Sequence, residues 1–174
     1  MRPSDDRDAG GPSERQLEVW EAFARDVIRE QRRDVADRIA RIVVPTDFSV
    51  CSMRALQRAE ALAQRLGAEV VLVHVDPSVV LGSEVAPARQ DAVRRELDGI
   101  AAVLGTRGVR ARGVVRAGAP AEEILAVAMA EGADLIVMGT HGRTGLAHAL
   151  LGSVAEDVVR RALCPVLTVR DGTT

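Results

Sequence analysis

From residue 41 onward the chain repeats one pattern, a short run of aliphatic residues followed by a longer stretch with apolar positions three and four apart. The short runs are Ile42–Val44 (IVV), Val70–Val75 (VVLVHV), Val109–Arg116 (VRARGVVR), Ala133–Met138 (ADLIVM) and Pro165–Val169 (PVLTV). Strands that alternate with helical stretches are joined by crossover helices, so the expected class is α/β with a parallel sheet. A chain of 174 residues buries about 70% of its unfolded surface and normally makes one globular core. Hydrophobic residues make up 47% of it but aromatics only 2%. Val, Leu, Ile and Ala must therefore fill the interior, and an aromatic platform for single-stranded nucleic acid is excluded.

The sequence also orders the strands in part. The run at Val70–Val75 is apolar almost throughout, as a central strand covered on both faces must be. The third run alternates Arg110, Arg112, Val114 and Arg116 against Val109, Ala111, Gly113 and Val115, which reads as a charged edge. Pro165 is tolerable only at a strand start or an edge, placing the last strand at the opposite side of the sheet. With no guarding charge before Arg170, that edge (165–169) predicts pairing with a second copy of the chain. Ser49 is the expected N-cap of a helix ending near Gly67, with Met53, Leu56, Ala63 and Leu66 on its inner face. A loop over Pro77–Pro87 leads to a helix of about Ala88–Leu104. A further helix over Ala119–Glu131 has Pro120 in its first turn, and the last runs over Ser153–Leu163.

Residues 1–12 lack periodic apolar positions and read as a disordered tail. Residues 13–40 form an expected amphipathic helical extension, capped by Ser13 and helical to about Arg38. Leu17, Trp20, Ala24, Val27 and Ile28 make its stripe. It holds two of the three aromatics, Trp20 and Phe23, so its stripe is expected to dock on the partner subunit or an unknown target protein. Residues 41–172 are expected to make a single α/β domain.

Charge excludes several functions. The 23 basic residues are all Arg and face 25 acidic ones, for a net charge of −2. That balance offers no surplus for counterion release on nucleic acid. Without lysine, Schiff-base and Walker chemistry are impossible. Cys51 and Cys164 lie too far apart in sequence, without a further ligand nearby, to suggest a disulfide framework or zinc site, and read as small apolar residues. No uncharged run reaches the length of a membrane span and the N-terminus is not signal-like, so the expected location is cytoplasmic.

The chemistry concentrates in Gly139–Gly152 (GTHGRTGLAHALLG), where a connection of 2–6 residues is usual. It carries Gly139, Gly142, Gly145 and Gly152 and ends at a helix N-terminus, whose free N–H groups favour an anion. Ser153 can add a hydroxyl donor, and Arg143 is the only permanent positive charge in the loop. Phosphate binding is the natural reading; a flexible surface loop is the alternative, with Arg143 then a solvated charge. Of the histidines, His74 inside an apolar strand reads as a core residue hydrogen-bonded to backbone, and His141 is the better ligand contact.

No GxGxxG follows the first strand. The pattern present is Gly-x2-Gly-x9-Gly-Ser, at Gly139, Gly142, Gly152 and Ser153. Together with PTDFS at Pro45–Ser49, LVHV at Leu72–Val75, the LIVMGTHG run and the closing CPVLTV, it resembles the universal stress protein family over about Arg41–Arg170. The resemblance implies an open five-stranded parallel sheet in the order 3-2-1-4-5, helices on both faces, and dimerisation through the last strand. Members with this glycine pattern bind ATP, so the implied ligand is ATP with Mg2+ or Mn2+ held mostly by the triphosphate and water. Adenine and ribose would lie against Pro45, Thr46, Asp47 and Val75. Met138, Gly139, Thr140, His141, Gly142, Arg143 and Thr144 would wrap the ribose and phosphates, and Gly152, Ser153 and Val154 the β- and γ-phosphates. Asp47 is a ribose-hydroxyl acceptor or a partner of metal-bound water, or else a helix-capping aspartate. No nucleophile–base pair accompanies the loop. The expected function is a nucleotide-responsive regulatory dimer of the stress response with at most slow hydrolysis. The alternatives are a true ATPase or nucleotidyl transferase, or a nucleotide-free structural dimer.

Overall fold

Five strands form one parallel sheet: β1 (Arg41–Pro45), β2 (Glu69–Asp76), β3 (Ala111–Ala117), β4 (Leu135–Gly139) and β5 (Val166–Val169), in the order β3-β2-β1-β4-β5. They are joined by helices α1 (Val50–Leu66), α2 (Pro87–Thr106), α3 (Pro120–Ala130) and α4 (Ser153–Arg161). The computed structural model describes residues 13–22, 39–79, 87–141 and 151–170. Its internal contacts divide the chain into two units, Met1–Arg38 and Ile39–Thr174. Among the described residues no helix is long and apolar enough to cross a membrane.

Alternation along the buried strands builds two apolar layers. Ile42, Val44, Val70 and Leu72 pack with Ala55, Leu56 and Leu97 beneath α1 and α2. Val43, Val71, Val73 and Ile136 pack with Ile124, Val127 and Val158 beneath α3 and α4. A parallel sheet covered on both faces needs apolar residues at successive positions, which is why β1 and β2 read as continuous runs. Each such side chain removed from water contributes about 1.5–3 kcal/mol.

Both edges lie where the sequence puts them. β3 is one edge, and its Arg112 reaches Glu69 of β2 (3.1 Å) and the Glu131 carboxylate at the end of α3. Arg41 donates to the Glu131 carbonyl, and Asp134 accepts from the N–H groups of Ala40 and Arg41, each at 2.9 Å. These bonds pin the N-terminal ends of the strands. β5 is the other edge, with Leu167 40% exposed.

α1 starts at Ser49, whose hydroxyl accepts from the Ser52 N–H (3.2 Å), and ends at Gly67 in the left-handed conformation with φ 68°. Its buried face differs from expectation. Leu56 and Ala63 are buried, but Met53 and Leu66 are 36% and 47% exposed. The inward residues are Cys51, Ser52, Ala55, Leu56, Ala59 and Ala63. A helix lying this close to a sheet needs small residues at the contact, so the larger apolar side chains sit on its flanks. Both cysteines are free, Cys51 buried and Cys164 partly so, with burial holding the Cys164 thiol above its ordinary pKa.

In the N-terminal unit, residues 14–22 are helical. Ser13 caps them reciprocally with Gln16: the Gln16 side-chain Oε1 accepts from the Ser13 N–H at 2.8 Å, while the Ser13 hydroxyl accepts from the Gln16 N–H at 3.4 Å. Leu17 and Trp20 are exposed. The expected tail, the stripe beyond residue 22 and most of the Pro77–Pro87 loop lie outside the described residues.

Candidate functional site

The strand order reverses between β1 and β4, and in open parallel sheets a crevice forms at that point, beyond the carboxyl ends of the strands. Val43 pairs with Ile136, so two residues on, Pro45 and Met138 end level with one another. Pro45, Thr46 and Met138 are buried; Asp47, Gly139 and His141 are half-buried at the rim.

The β1–α1 turn is built from hydroxyls. The Ser52 hydroxyl donates to the Ser49 carbonyl (2.9 Å), so at the 3.2 Å contact between them the Thr46 hydroxyl is the donor to Ser52 Oγ. Thr46 Oγ1 in turn accepts from the Phe48 N–H (3.1 Å), and Asp47 Oδ1 accepts from the Ser49 N–H (3.1 Å). Asp47 thus does cap the turn with one oxygen. Phe48 has φ 63°, the left-handed region, and is the only non-glycine residue to do so among those described.

At the end of β2, His74 is buried and its Nδ1 lies 2.9 Å from the Thr46 carbonyl oxygen, the backbone bond expected of a core histidine. Val75 is half-buried beside it. Asp76, 2% exposed, was not singled out by sequence reasoning. It accepts from the Ser78 N–H (2.9 Å) and hydroxyl and pairs with Arg89 of α2 at 3.2 Å. The Ser78 hydroxyl first, then its N–H and Arg89, hold the Asp76 carboxyl below the usual aspartate range against the opposing effect of burial. Asp76-Pro77-Ser78 is itself a turn signature that the sequence displayed.

At the end of β4, Thr140 is buried and donates its N–H to the Val169 carbonyl (2.9 Å). Its hydroxyl lies 3.0 Å from His141 Nδ1. The Gly152 N–H returns to the Thr140 carbonyl at 2.7 Å, so the long connection begins and ends at one place. Two of its glycines answer to packing. A Cβ on Gly139 would lie 2.8 Å from Cys51 Sγ, and one on Gly152 would lie 3.0 Å from the Thr140 carbonyl oxygen.

Gly152 precedes α4, whose first intrahelical bond runs from the Glu156 N–H to the Gly152 carbonyl (2.9 Å). The amides of Ser153, Val154 and Ala155 precede that bond, and Gly152 supplies no side-chain cap. They are the helix-terminal donors suited to an anion. Ser153 is exposed and Val154 half-buried. Glycine-lined backbone, a helix N-terminus and a hydroxyl therefore suit a phosphate chain in donor chemistry. Among the described residues no group of three or more His, Cys, Asp or Glu is disposed to hold a metal ion. The structure gathers Pro45, Thr46, Asp47, Met138, Gly139, Thr140, His141, Gly152, Ser153 and Val154 at the carboxyl ends of β1 and β4, with Val75 at the end of neighbouring β2. Gly142, Arg143 and Thr144 lie outside the described residues.

Comparison with known proteins agrees with this geometry. The sequence matches the universal stress protein family over residues 38–170. Universal stress protein MJ0531 of Methanocaldococcus jannaschii is 38% identical over 138 residues, covering 75% of this chain and 81% of that protein. The solved structure of MJ0577 from the same organism superposes with a TM-score of 0.72 at 32% identity, covering 78% of this chain and 99% of that one. A universal stress protein solved in complex with cAMP superposes with a TM-score of 0.58 at 30% identity, covering 76% and 97%. With this sheet order and these matches, the chain belongs to the universal stress protein family.

Proposed function

We propose that the chain is an ATP-binding stress-response protein that works as a nucleotide-responsive dimeric module, with at most slow hydrolysis. One observation carries the reading: the first-turn amides of α4, which precede its first intrahelical bond, and the Thr46–Asp47 turn stand at the same end of the sheet, across its point of reversal. The Gly-x2-Gly-x9-Gly-Ser pattern of the ATP-binding members supports it, as does the relative that binds cAMP. In this arrangement the α4 amides and Ser153 hydroxyl take phosphate oxygens, the Asp47 turn takes the ribose, and Val75 takes the base. A divalent cation, Mg2+ or Mn2+, would enter on the triphosphate. The uncharged β5 edge, with Leu167 exposed, is the surface proposed for the second copy. The remaining candidate partner is a target protein for the 13–38 segment.

Equilibrium dialysis of the full chain against ATP tests the reading. Retention of about one ATP per chain, weakened at least about tenfold by Asp47→Ala as for the loss of a charge-assisted hydrogen bond, is expected. No retention at millimolar ATP overturns it.

A further inference from the structure

His74 is a buried core histidine, yet its ring does more than fill space. β1 and β2 pair through Pro45 and Val73, where the strand ladder ends. One residue further the chain leaves the ladder: the Thr46 N–H still reaches the Val73 carbonyl at 2.8 Å, and the Thr46 carbonyl takes a side-chain partner. The His74 imidazole is that partner, at 2.9 Å. A carbonyl can only accept, so Nδ1 carries the proton. The same ring stacks on Phe48, centroids 5.0 Å apart and planes at 25°. Phe48 is held at φ 63°, a conformation that bulky residues adopt only when their surroundings impose it. One buried side chain therefore grips the β1–α1 turn twice, on either side of Asp47.

We infer that His74 is a positioning residue for the nucleotide, holding Thr46 and Phe48 so that the turn between them presents Asp47 at the crevice. The inference rests on the proposed ATP site, where Asp47 meets the ribose. His74 itself touches no ligand in this arrangement. Its contribution passes through the turn, which makes two consequences specific. An asparagine at 74 can place an amide N–H near the position of Nδ1 and keep the grip on Thr46, whereas leucine fills the space with no donor. Once Asp47 is gone, the grip has nothing left to aim.

Calorimetric titration of the full chain with ATP separates these cases, using wild type, His74→Asn, His74→Leu, Asp47→Ala and the double variant Asp47→Ala/His74→Leu. Loss of the hydrogen bond to the Thr46 carbonyl should weaken ATP binding about tenfold in His74→Leu, while His74→Asn stays within about threefold of wild type. The double variant should bind no more weakly than Asp47→Ala alone, a non-additivity that general loosening of the fold does not produce. Wild-type affinity in His74→Leu, failure of asparagine to rescue, or losses that multiply in the double variant each overturn the inference and leave the ATP site standing. No binding by wild type overturns both. Should His74→Leu not fold, Phe48→Gly serves instead, because glycine takes φ 63° freely while the stack is lost along with the Phe48 contact to the apolar layer, whose cost urea unfolding reads separately. Weakened binding supports the inference, and unchanged binding overturns it.

Discussion

Replacing Gly139 with alanine asks what the first glycine of the long connection is for. A methyl there would stand 2.8 Å from Cys51 Sγ, 3.1 Å from the Cys51 carbonyl carbon and 3.2 Å from its Cβ. Rotating the Cys51 side chain relieves only the first contact, since the other two atoms are fixed by the backbone of α1. The helix must move off the end of β4, and Cys51 also donates to the Val169 carbonyl of β5 at 3.3 Å, so β5 is disturbed with it. Overpacking of this kind costs about 1–3 kcal/mol, which for a chain of this length lowers the melting temperature by about 3–10 °C. Urea unfolding without nucleotide should show a lower midpoint at unchanged slope. Adding Cys51→Ala removes the sulfur but not the other contacts, so the double variant should recover part of the loss, a coupling of about 0.5–1.5 kcal/mol. If Gly139→Ala unfolds like wild type and loses only ATP affinity, the packing explanation is wrong and the glycine serves the phosphates.

Two further perturbations test other parts of the structure. The Asp76 carboxyl is depressed in the folded chain, so its stabilisation is complete above the ordinary aspartate pKa and disappears as pH falls through the folded value. Asp76→Asn should cost about 1–2 kcal/mol near neutral pH, with the difference from wild type shrinking toward zero as the pH falls below the ordinary aspartate range; a difference constant with pH in urea unfolding would refute the assignment. Leu167→Arg places a charge on the proposed β5 interface and should convert a dimer to a monomer in sedimentation without lowering the melting temperature of the monomer. A wild-type chain that sediments as a monomer at high concentration removes the dimer.

The layering was legible because a parallel sheet writes it in the sequence: continuous aliphatic runs for β1, β2 and β4, arginine alternation for β3, and Pro165 ahead of β5. Ser49 and Gly67 marked the ends of α1 by cap chemistry that depends on local residues alone. The face of α1 was half legible: Leu56 and Ala63 face inward as expected, but weight given to Met53 and Leu66 was misplaced, because the helix also meets the sheet through the small residues Cys51, Ala55 and Ala59. Small residues signal close approach only when the opposing surface is known, and here that surface includes the bare backbone of Gly139. The same reason hid the packing role of that glycine behind its phosphate-loop motif. Phe48 gave no warning of its left-handed backbone, since that conformation is imposed by Thr46 and His74 rather than favoured by phenylalanine. His74 was readable as far as its backbone bond, because an imidazole inside an apolar strand must find a partner.

Amide chemical shifts of the full chain titrated with ATP test most directly whether the reversal point of the sheet holds the nucleotide. Saturable shifts at Asp47, Val75, His141, Ser153 and Val154, with Arg41, Glu131 and Asp134 at the opposite end of the strands unmoved, are the predicted result. Shifts gathered at that opposite end, or none at millimolar ATP, would contradict it.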